Sequence, residues 1–185
     1  MERIKLFKKG NKLDPANYRP VSLTSAICKV LESIIRDCIM EYLQLKKLIN
    51  PCQHGFVPKK ACVTNLLETL DFITDAINKG LSVDLILLDF AKAFDKVSHA
   101  KLIKKLEAIG IDNILVRWIK AFLTERKQRV VIGDNYSEWE DVTSSVPQGS
   151  VLGPLLFTIF INDLPDIVKN QCKLYADDCQ CVCIF

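Results

Sequence analysis

The sequence predicts an α+β fold, and three observations carry that prediction. Residues 83–89, VDLILLD, are an apolar run with no helical stripe, which reads as a strand buried on both faces. Helical periodicity stands on both sides of that strand without the regular alternation that builds a doubly wound sheet. Near the end, LYADDCQCVCIF sets apolar residues on both sides of an acidic pair. That pattern reads as strand, two-residue turn, strand, a hairpin with Asp177 and Asp178 at its tip. At 185 residues and 49% hydrophobic content the chain can bury a sizeable core, as one domain or a large piece of one.

Taken in order, residues 1–14 begin with a strand and pass into a loop with Lys8, Lys9 and Lys12 near its tip. Pro20 favours extended backbone at Arg19. From Ser25, the spacing of Ile27, Val30, Leu31, Ile34, Ile35, Cys38, Ile39, Tyr42 and Leu43 predicts a core-facing helix. Gln53-His54-Gly55-Phe56 reads as a turn whose histidine is structural. Leu66, Leu67, Leu70, Ile73 and Ile77 mark a second helix, closed by Gly80. Beyond the central strand, Phe94 and Asp95 fall in the first turns of a short helical pattern. Ser98 caps a helix through Ile109, stopped by Gly110, and Asp112 caps another through Leu123. Arg129 to Ile132, Gly133-Asp134-Asn135 and the run toward Val142 predict a hairpin. Pro147-Gln148-Gly149 then sits where an extended segment meets a helix starting near Leu152, whose first N–H groups are free for an anion or a base.

Charge and cysteine usage narrow the function classes. The net charge is only +3, yet residues 1–60 hold 12 Lys/Arg against 5 Asp/Glu and the remainder 13 against 17. The basic end suits phosphates, or is simply a solvated face, and the acidic remainder suits cations. Eight cysteines come without a signal peptide or paired CxxC motifs, which points to a reducing, intracellular compartment. Cys179, Cys181 and Cys183 alternate, so they share a strand face as small buried hydrophobes. The longest apolar run, Val151 to Ile161, is interrupted and too short to cross a bilayer, so no membrane partner is expected.

The candidate chemistry lies in three acids. Asp89 closes the central strand, where sheet enzymes place ligand and metal groups, although an acid there also suits the cap of a following helix. Asp177 and Asp178 repel each other unless a cation sits between them or solvent screens them. Were all three to meet, they would suit divalent cations, and phosphoryl transfer often uses two such ions about 4 Å apart.

LDFAKAFDKVSH at 88–99, VPQGSVLGPLLFTIFINDLP at 146–165 and YADD at 175–178 stand in the order of a reverse transcriptase domain. ANYRPVSLTSAICKVLE at 16–32 and CQHGFVPKKACVTNLLE at 52–68 resemble the same family, and the likeness is greatest to LINE-type, jockey-like elements. The chain departs from the family at Val57 and at Lys59-Lys60-Ala61, where an Arg and a Gly-Arg-Ser run are usual. The resemblance implies a right-hand polymerase, its fingers and palm with a mixed, mainly antiparallel palm sheet packed on helices. It also implies that residues 1–185 are truncated at both ends and do not sustain DNA synthesis as they stand.

By the same resemblance, Asp89, Asp177, Asp178 and the backbone carbonyl of Phe90 hold two Mg²⁺, or Mn²⁺. Arg19 meets the triphosphate of a dNTP, Phe94 faces the sugar 2′ position, and Gln148 and Gly149 line the pocket of the template base and nucleotide sugar. An RNA template and a DNA primer are the implied partners. Rival readings are a group II intron maturase, a viral RNA polymerase, and an inactive or co-opted copy that only binds nucleic acid. YADD and the bulky Phe94 favour DNA synthesis over the viral polymerase, and the intact acids disfavour decay.

Overall fold

The computed structural model describes residues 2–7, 9–14, 17–132 and 134–185. The elements run β1 (Glu2–Phe7), β2 (Tyr18–Ser22), α1 (Ala26–Leu45), α2 (Cys62–Asn78), β3 (Val83–Asp89) and a 3₁₀ turn (Phe94–Lys96). They continue α3 (His99–Ala108), α4 (Asn113–Leu123), β4 (Lys127–Ile132), β5 (Asn135–Tyr136), β6 (Glu140–Asp141), α5 (Gly153–Ile161), α6 (Leu164–Ile167), β7 (Gln171–Tyr175) and β8 (Asp178–Ile184). Helix starts follow from local chemistry: the side chains of Ser25, Ser98 and Asp112 accept from the backbone N–H of Cys28, Lys101 and Ile114. Beyond α2 and α3, Gly80 and Gly110 take the left-handed conformation at φ 71° and 80°, which ends both helices.

Two sheets result. One has the order β2-β1-β4-β5 with β6 also on β4, and its β1/β4 pair is parallel. The other is the antiparallel sheet β3-β8-β7. The core lies where α1, α3, α4 and α5 meet one face of β7 and β8, through Ile39, Leu43, Leu102, Leu106, Ile119, Leu123, Leu156, Phe157 and Leu174. This is the predicted α+β class. Among the described residues no helix is long and apolar enough to cross a membrane.

Three local expectations need correction. β3 is not buried on both faces: it is an edge strand bonded to β8, and Leu85, Leu87 and Leu88 are 45%, 67% and 46% exposed. Apolar composition reports what a strand can bury, whereas the described residues leave this one open. Likewise α1 faces the core with Ile35, Ile39 and Leu43, flanked by half-buried Met40 and Tyr42, while Ile27, Val30 and Ile34 point outward. At the hairpin, the turn comprises Ala176 and Asp177, so Asp178 is the first residue of β8, not part of the tip.

Candidate active site

The carboxylates are brought together by strand pairing. In the β3/β8 register Asp89 lies opposite Asp178. Asp177 joins them through its carbonyl, which accepts from the Phe90 N–H at 3.4 Å. Asp89 and Asp178 are exposed and Asp177 is half-buried, so the group opens to solvent at one end of the sheet. Slight desolvation at the strand end raises the carboxyl of the largely exposed Asp178 above the usual carboxylate range, and the charges of Asp177 and Asp89 raise it further. A cation would relieve that repulsion, so hard oxygen donors of this kind fit a divalent ion.

A second group of ligand atoms meets behind the hairpin. The sulfurs of Cys172, Cys179 and Cys181 lie within 4.8 Å of one another, a mutual spacing that the three carboxylates do not reach. All three thiols are buried, and burial pushes both Cys172 and Cys179 up. Cys172 and Cys179 are therefore protonated, and all three side chains pack as small hydrophobes, whereas Cys183, expected on the same buried face, is only half-buried.

The loop carrying Gln148 and Gly149 is fixed from three sides. Its approach is held at Ser145, whose carbonyl accepts from His99 Nε2 at 2.8 Å and Arg126 Nη2 at 3.1 Å. Burial, together with the charge of Arg126, lowers the His99 pKa, so the ring is neutral and Nε2–H is the donor. The Gln148 carbonyl accepts from Ser22 N–H at 2.8 Å, which seats the loop on β2. Gly149 is required: at φ 101° a Cβ would stand 2.9 Å from the Ser22 carbonyl oxygen. From α1, buried Glu32 reaches over so that its Oε2 accepts from Val151 N–H at 2.8 Å and Leu152 N–H at 3.0 Å, capping α5.

Arg19 lies on β2, and its side chain lies outside the described residues. Phe90 follows β3 and is 39% exposed. The Phe94 ring is half-buried and stacks on Phe157, with centroids 4.6 Å apart, and its carbonyl accepts from Val146 N–H. The structure thus sets Asp89 opposite Asp178 with Asp177 next to them at the turn, places Phe94 beside the segment entering the Gln148 loop, and lays that loop on the strand of Arg19. Two contributors escape sequence reasoning. Glu32 sits in a helical stripe with nothing local to mark it, and Gln53, whose Oε1 accepts from the Ala176 N–H at the turn, reads as part of an ordinary turn. A large polar residue inside an apolar period is the sole signal that Glu32 offers.

Strand-paired acids beside a two-residue turn, with a helical core behind them and a second sheet in front of the loop, define a right-hand polymerase fold. Solved telomerases share it. Apo telomerase from Candida tropicalis truncated from its C-terminal domain has a TM-score of 0.63 at 12% identity, over 90% of this chain and 41% of that one. Telomerase from the same species in complex with a fragment of telomeric RNA gives 0.66 at 11% identity, over 91% and 34%. The chain belongs to the reverse transcriptase (RNA-dependent DNA polymerase) family, whose model matches residues 7–184. It is 33% identical over 184 residues to the RNA-directed DNA polymerase from mobile element jockey of Drosophila funebris, covering 95% of this chain and 20% of the relative. It is 30% identical over 178 residues to the probable RNA-directed DNA polymerase from transposon BS of Drosophila melanogaster, covering 89% and 19%. The chain therefore spans about a fifth of the length of these relatives.

Proposed function

We propose that this chain is the fingers and palm portion of a LINE-type reverse transcriptase and that its three acids are the centre of RNA-directed DNA synthesis. The observation that carries the proposal is the register of Asp89 against Asp178, with Asp177 tied to the end of β3 by the Phe90 N–H. Asp89, Asp177, Asp178 and the Phe90 carbonyl would hold two Mg²⁺, or Mn²⁺ with the same hard donors. Two such ions, when bound, supply activation of a primer 3′-hydroxyl and neutralisation of the departing pyrophosphate.

The remaining work falls to the chain itself. Gln148 and Gly149, held rigidly on β2, position the template base and the sugar of the dNTP. Arg19 on the same strand serves the triphosphate, where a guanidinium fork matches phosphate oxygens. Phe94 walls the 2′ position with a ring that Phe157 stacks from behind.

The test places this chain in the jockey polymerase in place of the segment it matches. With an annealed RNA template, a DNA primer, Mg²⁺ and four dNTPs, primer extension is expected, and Asp89→Ala or Asp177→Ala should abolish it. Extension that survives Asp89→Ala contradicts the assignment. Preferential use of ribonucleotides would instead support an RNA polymerase, and template binding without extension would support a protein that only binds nucleic acid.

A further inference from the structure

We infer that Gln53 is a positioning residue for the Ala176-Asp177 turn, holding the carboxylates in the geometry that binds cation. The inference rests on the reading of Asp89, Asp177 and Asp178 as metal ligands. The segment at 52–54 lies along β7: Gln53 forms a parallel bridge to Leu174, the Leu174 N–H donates to the Cys52 carbonyl at 2.9 Å, and the His54 N–H donates to the Leu174 carbonyl at 2.8 Å. From that anchored backbone the Gln53 side chain, 0% exposed, reaches the turn two residues beyond Leu174. Its Oε1 accepts from Ala176 N–H at 3.2 Å and from Gly55 N–H at 2.7 Å. Both partners are donors, which assigns the oxygen to that position.

Two further features support the turn's dependence on this contact. Ala176 takes a left-handed φ of 56°, unfavourable for a residue with a Cβ, and its neighbour is the proposed ligand Asp177. Gly55 leaves no slack on the other side, because a Cβ there would stand 2.2 Å from the Ala176 nitrogen. The turn is thus clamped between one amide oxygen and one bare glycine. Without the acceptor, two buried N–H groups lose their partner, and the cheapest relief is movement of the turn.

The test uses the chain itself, with Mg²⁺ as the probe. Gln53→Met keeps the side-chain length and removes the acceptor, whereas Gln53→Glu retains an acceptor oxygen. Amide exchange by NMR, thermal midpoint and Mg²⁺ affinity by calorimetry are measured for each. Gln53→Met should speed exchange at Ala176 and Gly55 and weaken Mg²⁺ binding by about tenfold, with amides of α3 and α4 unchanged. Gln53→Glu should restore protection of both amides. In the unmodified chain Mg²⁺ should itself slow exchange at Ala176 and Gly55 together, since turn order and ion binding are reciprocally linked. That arm decides the matter should Gln53→Met not fold. Mg²⁺ binding that depends on Asp89 yet leaves Ala176 exchange unmoved, or is undiminished by Gln53→Met, overturns the inference. Mg²⁺ binding insensitive to Asp89→Ala overturns the metal reading instead. In that case faster Ala176 exchange in Gln53→Met still identifies the brace.

Discussion

Phe94 illustrates how one side chain can answer to two demands. Its ring stacks on Phe157 at the edge of the core, so its position is set by packing, and in the proposed reading the rigid ring excludes a 2′-hydroxyl. Phe94→Val should therefore do two things: lower stability by on the order of 1–3 kcal/mol through lost packing, and raise ribonucleotide use relative to deoxyribonucleotide use. The jockey chimera supplies that ratio from paired single-nucleotide incorporations, and urea denaturation of the chain supplies the stability. A stability loss with an unchanged ratio would make Phe94 a core residue only. Asp89 and the acidic pair were visible from the sequence because strand ends and turns are local signals. Which acid opens β8 was not visible, since a one-residue shift of a turn leaves the composition pattern intact.

At the scale of elements, the site is a set of cross-braces between pieces distant in sequence. Glu32 on α1 caps α5 from 119 and 120 residues away, the Gln148 loop sits on β2, and the segment at 52–54 edges β7. The caps at Ser98 and Asp112 were legible because their chemistry is spelled within four residues. Long-range caps are not, because periodicity carries no information about a partner on another element. Glu32→Ala should cost about 1–3 kcal/mol by leaving the Val151 and Leu152 N–H groups unpaired, and Glu32→Gln, which keeps an acceptor, should cost much less. Urea denaturation of both variants measures the difference, and equal losses would show that Glu32 acts through packing instead of through its oxygen.

For the whole molecule, the sequence specified the fold class and missed which apolar surfaces are covered. Leu85, Leu87 and Leu88 on β3, Ile27 and Ile34 on α1, and Leu67 and Leu70 on α2 are exposed despite strong periodicity or apolarity. A stripe identifies an element's apolar face, whereas its cover is a property of the assembled fold. The carboxylate cluster is likewise a product of assembly, because residues 89 and 178 meet only through the β3/β8 register.

The most direct test of the central claim is the thermal midpoint of the chain with and without Mg²⁺, near pH 7 and at about pH 4. Asp178 binds its proton more tightly in the folded chain than an ordinary carboxylate does. The cost of its charged form, from desolvation first and then from repulsion by Asp177 and Asp89, is therefore absent at low pH and develops as pH rises through the raised value. Mg²⁺ should relieve it, so at a hundredfold excess over Kd linkage predicts ~2.7 kcal/mol, or a rise of ~5–10 °C near pH 7. At the lower pH protons compete for the same oxygens, and the rise should shrink. Asp89→Ala and Asp177→Ala should abolish it. An equal Mg²⁺-induced rise in those variants, or none in the unmodified chain, would contradict a divalent-cation site at the end of this sheet.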